Sequence, residues 1–536
     1  MQKHNKNSRS NLNSFLMVCL TCFLSFSATS QLYFPNENYY NSEIERFNIQ
    51  SQNTNNYQKH LSVKPLLDTK SNTDSIYYST GKHYYWITQK LFKENFIIFK
   101  GEDFWCSVDP IVDAELGTDL SMDSLYKMYW NTRGIRIQAK FYDKVAFTTS
   151  VYENQAIVPQ YQSDFFDASG EFRPTAQGYK QENAFVPMYA RTKPFKTNGY
   201  DFAFATGQLS IVPTKWLNFQ LGNGNQFIGS GYRSLFLSDF SGNYPFFKTE
   251  FFAFDGKLQY NMTYAMLTNP YRLSVFSTPE ATYERKIGTF HFLEYAITDN
   301  FNISLFEGSN WRSTDSLGTQ KPDWLFLNPI ILSNSIIKSK NSNGYNSVVG
   351  VGANYTFKNT KFYTQLLLDN SRISSQIGFK SYDLFINNLD VRVEYNQSPE
   401  NAYLTTDIRY NYSNNNLSLG HPFVSGYKEI VAILSYQKDR WFVQNKVVFY
   451  TKRSNDIYNI GVDILQPFTP YGYSNTKSTN VFNNNFEFGY RFNKNYNLQA
   501  VVGYLYRTDN QKINPQVTNY VYFGIRTRLR NKKLDW

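Results

Sequence analysis

The 536-residue chain is 18% aromatic, with 43 Tyr and 46 Phe, yet its mean hydropathy is -0.50. Its 3 cysteines leave little scope for a disulfide framework. No segment beyond the N-terminus reaches about eighteen apolar residues, which excludes transmembrane helices. A formal net charge of +11 suits an acidic partner such as polysaccharide, although a charged lumen and charged loops account for it equally well.

Lys3, Lys6 and Arg9 precede an apolar run from Phe15 to Phe26, and Ala28-Thr29-Ser30 offers a small-x-small cleavage site before Gln31. Residues 1–30 therefore read as a signal peptide, too short to span a bilayer permanently. A lipoprotein reading of Cys19 or Cys22 is disfavoured, because Val18 and Thr21 stand where a lipobox needs a very small residue. The exported part retains only Cys106 and cannot form an intramolecular disulfide.

Residues 31–130 are expected to form an N-terminal periplasmic, partly helical segment. Tyr40, Ile44 and Phe47 give a short helical spacing within an Asn-rich stretch, and 83–129 fits either wall or lid. The acidic run holding Asp103, Asp109, Asp113, Glu115 and Asp119 lacks the ligand order of a calcium loop and reads as solvated charge.

From about Thr132 the pattern has period two, which places successive side chains on opposite faces of strands. Ile135, Ile137, Ala139 and Phe141 alternate with Gly134, Arg136, Gln138 and Lys140, and Leu389, Val391, Val393 and Tyr395 with Asp390, Arg392, Glu394 and Asn396. Near the C-terminus, Val521, Phe523, Ile525, Thr527 and Leu529 are expected to face lipid, with Tyr522, Gly524, Arg526, Arg528 and Arg530 facing inward. Lys257 to Leu267, Tyr403 to Tyr412, Trp441 to Tyr450 and Tyr496 to Tyr506 match the roughly 9–11 residues of a tilted membrane strand. Residues 131–536 are thus expected to form an all-β, transmembrane antiparallel barrel of about 18 strands. Long connections at Gln155 to Asn198, Asn223 to Tyr244, Asp315 to Tyr345 and Asn411 to Lys428 would plug the lumen or cover its outer mouth.

No motif points to catalysis. Gly222 to Phe227 superficially resembles a phosphate-cradling loop, but no βαβ pattern surrounds it. The 5 histidines form no metal-ligand pair, and Ser234 and Ser238 lack a nucleophile-elbow context. The inward arginines Arg526, Arg528 and Arg530 could bind carboxylate or phosphate, or else pair with inward acids such as Asp390, Glu394, Asp407 or Glu487.

The stretch GNGNQFIGSGYRSLFLSDFSGNYPFF, Gly222 to Phe247, resembles the signature loop of capsule-assembly Wzi-type outer-membrane barrels, and more closely that of gliding-motility RemB-type proteins. HLSVKPLL at His60, NTRGIRIQAKF at Asn131, SVYENQAIVPQY at Ser150, LFLNPIIL at Leu325, LDVRVEYN at Leu389 and LGHPFVSGYKEI at Leu419 extend the resemblance. It implies an outer-membrane barrel with a plugged lumen and a small periplasmic helical part, without enzymatic activity, cofactor or metal. Wzi-type members hold capsular polysaccharide, and RemB-type members serve gliding. The expected partners are outer-membrane lipid, acidic surface polysaccharide and gliding or adhesion proteins, with no nucleic acid. On this reading Tyr232 and Tyr244 stack on sugars, Arg233 holds an anionic group, and Asp239, Arg526 and Arg528 complete the ligand-binding set.

Overall fold

The computed structural model describes residues 32–51, 58–66, 85–122, 127–142, 144–175, 178–272, 283–315, 318–319, 324–340, 345–369, 371–403, 405, 407–455, 476–510 and 515–536. The expected signal peptide lies outside them. Eighteen strands close into an antiparallel barrel. They are β1 (Phe104–Asp119), β2 (Lys127–Phe141), β3 (Val145–Ile157), β4 (Gly199–Thr214), β5 (Leu217–Gly224), β6 (Tyr244–Ala253), β7 (Leu258–Arg272), β8 (Tyr283–Thr298) and β9 (Phe301–Arg312). The second half comprises β10 (Tyr345–Phe357), β11 (Thr360–Asp369), β12 (Arg372–Ser381), β13 (Leu389–Ser398), β14 (Tyr427–Lys438), β15 (Trp441–Asn455), β16 (Thr476–Asn493), β17 (Leu498–Asp509) and β18 (Gln516–Thr527).

Each strand pairs with its neighbours, and β18 closes on β1, running from Tyr520 against Asp119 to Arg526 against Asp113. Closure satisfies the backbone groups that lipid cannot. The two-residue period then sorts the faces: in β18, Val521, Phe523 and Ile525 are exposed while Tyr520, Tyr522 and Arg526 are buried. The short turns gather at one rim, which by the usual asymmetry faces the periplasm. Tyr142, Trp216, Phe254, Phe357, Phe385 and Trp441 are exposed there, forming the aromatic girdle expected at a membrane interface.

Four elements depart from the sequence expectations. The wall begins at Phe104 instead of 131, and Asp109, Asp113, Glu115 and Asp119 alternate along β1 towards the lumen. Pro110, which argues against a regular strand, masked that alternation. The described residues between Tyr403 and Tyr412 form no strand: Tyr403 and Tyr412 stack inside the lumen and donate hydrogen bonds to the carbonyls of Leu235 and Phe236. Strand β18 stops at Thr527, whose hydroxyl accepts from the Val112 amide, and the chain turns inward, so Thr527 and Leu529 do not face lipid. Leu529 belongs to a buried apolar cluster with Tyr40, Ile44, Ile111 and Tyr152.

The fourth departure is the β9–β10 connection, whose described part lies on the outer face of the wall. Its helix, α3 (Ser333–Lys340), starts at Glu307, an outward-facing and buried residue of β9. The Glu307 carboxylate accepts from the amides of Leu332 and Ser335 and from the Ser335 hydroxyl, at 2.8, 2.7 and 2.7 Å. A carboxylate so placed caps the free amides and complements the helix dipole. Tyr260 hydrogen-bonds both His291 and the Pro329 carbonyl, extending the polar contact down the wall. Trp324, Ile330 and Ile336 are exposed on this flap and restore an apolar surface over the polar patch.

Inside, α1 (Asn38–Gln50) crosses the lumen near the short-turn rim. Tyr40 and Ile44 pack towards β1 and β3, while Glu45 and Arg46 bond to Lys380 and Asp390 of β12 and β13. Val63–Lys64 pairs with Phe227–Ile228, so the N-terminal segment and the β5–β6 loop share a small sheet within the lumen. Helix α2 (Gln160–Ala168) belongs to the β3–β4 loop and meets the C-terminal residues: Phe165 and Phe166 contact Trp536, and Tyr161 donates to the Leu534 carbonyl. The aromatic abundance thus has two uses, a lipid-facing wall and an apolar luminal core around Leu235, Phe236 and Leu237.

Candidate functional site

The β5–β6 loop turns inward from the long-loop side because its glycines permit close backbone approach. At Gly231 a Cβ would overlap a carboxylate oxygen of Glu394. That carboxylate instead accepts from the amides of Tyr232 and Arg233 at 2.7 and 3.0 Å, from the Tyr363 hydroxyl and from Asn396.

Arg233 is 1% exposed. Its guanidinium donates to Glu429 at 3.2 and 3.0 Å and to Asp535 at 2.9 Å. Tyr232 donates its hydroxyl to the other Asp535 oxygen at 2.5 Å, where Lys446 also binds at 2.7 Å. Burial alone would raise the Asp535 carboxyl, but Arg233 and Lys446 hold it well below the ordinary carboxylate range. On the far side of Glu429 the Phe423 amide donates to Nδ1 of His421, which leaves Nε2–H to donate to Glu429 at 2.7 Å. Burial lowers the His421 pKa, an effect that Glu429 opposes.

Asp239 does not pair with Arg233. It binds Lys533 at 2.7 Å and accepts from Asn531 and Asn36, joining the same loop to the C-terminal segment and to the N-terminal one. Burial would raise its pKa, but Lys533 and the Asn531 hydrogen bond lower it. Tyr244 is buried in the apolar core with Phe246. Arg526 forms two hydrogen bonds to Glu487, at 3.0 and 2.8 Å, and Arg528 lies 3.7 Å from it. Arg530 donates to the Met188 carbonyl and lies over the rings of Tyr152, Tyr189 and Phe204.

The sequence-selected residues therefore fall into separate places. Tyr232 and Arg233 share one network, Asp239 anchors the other end of the loop, Tyr244 sits in the apolar core, and Arg526 and Arg528 meet Glu487. Glu394, His421, Glu429, Lys446 and Asp535 complete the Arg233 network. His421 and Glu429 stand in the LGHPFVSGYKEI stretch, whereas nothing local marked Lys446 or Asp535. Among the described residues no group of three or more His, Cys, Asp and Glu side chains is arranged to hold a metal.

No protein-family model matches the chain, and no curated protein matches it. Among solved structures it is similar to Wzi of Escherichia coli, an outer-membrane protein involved in group 1 capsule assembly and described as a carbohydrate-binding β-barrel. The match covers 93% of this chain and 99% of that one, with a TM-score of 0.55 and 10% identity. OprD of Pseudomonas aeruginosa matches over 78% of this chain and 94% of its own, with a TM-score of 0.41 and 10% identity. OccAB4 of Acinetobacter baumannii covers 80% and 98%, with a TM-score of 0.40 and 9% identity. The closed wall, its exposed apolar face and its aromatic rim define a β-barrel protein of the outer membrane. Within that class the chain has the fold of the Wzi barrel, and at this identity the likeness speaks of fold alone.

Proposed function

We propose that this barrel retains an acidic surface polysaccharide at the cell surface without altering it. The observation that carries the reading is the tie between the loops of the long-loop side and the wall: the inward-folded β5–β6 loop and the β13–β14 loop meet through Arg233, Glu429 and His421. Fixing loops in advance removes an ordering cost from binding. Tyr232, Arg233, Asp239, Tyr244, Arg526 and Arg528 act as the framework of that surface. Contact with the glycan falls to groups nearer the mouth, including Arg173 and Lys180 on the hairpin formed by Glu171–Thr175 and Gly178–Glu182. Arg173 is about half exposed and Lys180 largely exposed, and among the described residues both pair only with Glu182, at 3.7 and 3.3 Å. Exposed pairs of this kind are weak and exchange readily for glycan carboxylates. The fold likeness to a carbohydrate-binding barrel supports the reading.

The test is cell-bound against released polysaccharide in a strain lacking the gene, with surface spreading scored in parallel. Loss of bound polysaccharide at constant total synthesis is expected, and R173E/K180E should reproduce part of it. Unchanged polysaccharide with lost spreading would refute retention. That result would favour the second reading, an anchor for a gliding or adhesion complex, which rests on the RemB-like stretches of the sequence.

A further inference from the structure

The strand register aligns three cations in one luminal row: Lys361 of β11 stands opposite Lys380 of β12, and Lys380 opposite Arg392 of β13. Like charges directly opposite one another destabilise a sheet. A fourth cation, Lys64, enters the same field from the N-terminal segment, and burial there lowers its pKa to about 8 despite the opposing charge of Glu45.

The nearby acids are already engaged. Glu45 of α1 receives Lys380 at 2.8 and 2.5 Å and the Tyr382 hydroxyl at 2.6 Å. Asp390 is held by Arg46 at 2.6 Å. Glu394 is held by the loop amides, Tyr363 and Asn396. The side chains of Lys64, Lys361 and Arg392 consequently form no hydrogen bond or ion pair with any described residue; the Lys64 ammonium lies over the Phe227 ring.

Arg392 borders a cavity of about 200 Å³ between α1, the C-terminal segment and the β12–β18 wall. Its lining extends from Asn388 and Gln437 at the short-turn rim to Tyr232 and Asp535 in mid-lumen. Among the cavity's described cationic side chains, Arg392 alone lacks a hydrogen bond or ion pair.

We propose that this cavity binds an oxyanion, a carboxylate or phosphate group, on Arg392. The planar guanidinium offers two parallel donors that match either group. Lys64, Lys361 and Lys380 supply the favourable field, and Glu45 is the built-in competitor whose charge limits affinity. The rim residues place the entrance on the periplasmic side. The site stands independently of polysaccharide retention at the outer face, because it uses neither the outward loops' exposed groups nor that surface.

Calorimetric titration of the full-length detergent-solubilised protein with inorganic phosphate, with glucuronic acid and with neutral glucose tests the assignment. Saturable binding of phosphate or glucuronic acid, without glucose binding, is expected. R392Q should weaken it by about tenfold or more, the scale of a charged hydrogen bond. K361Q should weaken it less, E45Q should tighten it, and R133Q at the exposed wall should leave it unchanged. Preference for phosphate would identify a phosphorylated ligand, and preference for glucuronic acid a uronate. Absence of saturable anion binding would overturn the proposal, as would an unchanged affinity in an R392Q protein whose barrel remains folded by heat-modifiable gel mobility.

Discussion

Replacing Arg233 with Met removes three side-chain hydrogen bonds in one step, two to Glu429 and one to Asp535. Breaking a buried ion pair from one side costs about 3–5 kcal/mol, because the remaining charge stays desolvated. Here Glu429 keeps His421 and Asn396, and Asp535 keeps Tyr232 and Lys446, so the lower end, about 3 kcal/mol, applies. That corresponds to roughly a hundredfold rise in local opening. The effect should be local, since the ring of paired strands does not depend on Arg233. Hydrogen exchange followed by mass spectrometry in nanodiscs is the appropriate assay. Peptides from the β5–β6 loop and the C-terminal segment should exchange about a hundredfold faster, with β1 to β18 unchanged. R233K should fall between Met and wild type, because an ammonium cannot reproduce the guanidinium's fork. Loop exchange within about threefold of wild type would refute the reasoning that Arg233 bolts these two segments together.

Glu307→Ala should free α3 from the outer wall, because three hydrogen bonds and a helix cap are lost at about 1–2 kcal/mol. In a C106S/I336C background, a water-soluble maleimide should then label position 336 several-fold faster in proteoliposomes, and an unchanged rate would count against the flap. Trp536→Ala removes a ring packed on Phe165, Phe166 and Phe240 and should cost about 3–5 kcal/mol locally, read as faster carboxypeptidase digestion of the C-terminal segment. His421 has a folded pKa below its ordinary 6.5, so its neutral form is favoured in the closed loop. Its contribution is complete above that value and declines as pH falls below it, because the opened loop gains the proton first. Protection of the Phe423 amide should accordingly weaken from pH 7.5 to 5.5 by about a few-fold beyond the intrinsic exchange trend, and H421Q should abolish the dependence.

Much of the wall was legible because its cause is local. Alternation in Val521 to Arg526 or Leu389 to Asn396 decides which side chains meet lipid, and a single strand carries that information in its own residues. Aromatic abundance and the absence of long apolar runs similarly identify a closed β wall over membrane helices. Where alternation was interrupted, as at Pro110, or imitated, as between Tyr403 and Tyr412, local pattern misassigned the segment.

The interior depended on distance in the chain. Arg233 was recognisable as a charged residue in a distinctive loop, but its partners stand at 429 and 535, brought together only when the ring closes and the C-terminal segment turns inward. The row of Lys361, Lys380 and Arg392 likewise exists only through the register of three strands. Glu307 shares the outward face of Ile303, where an acid would meet lipid, and it is covered there because α3 lies across the wall. Sequence alone determined the two-faced wall and its outer-membrane setting, since side-chain period and composition act residue by residue. Tertiary structure decided which buried charges are satisfied and which remain free, since that balance is set by groups hundreds of residues apart.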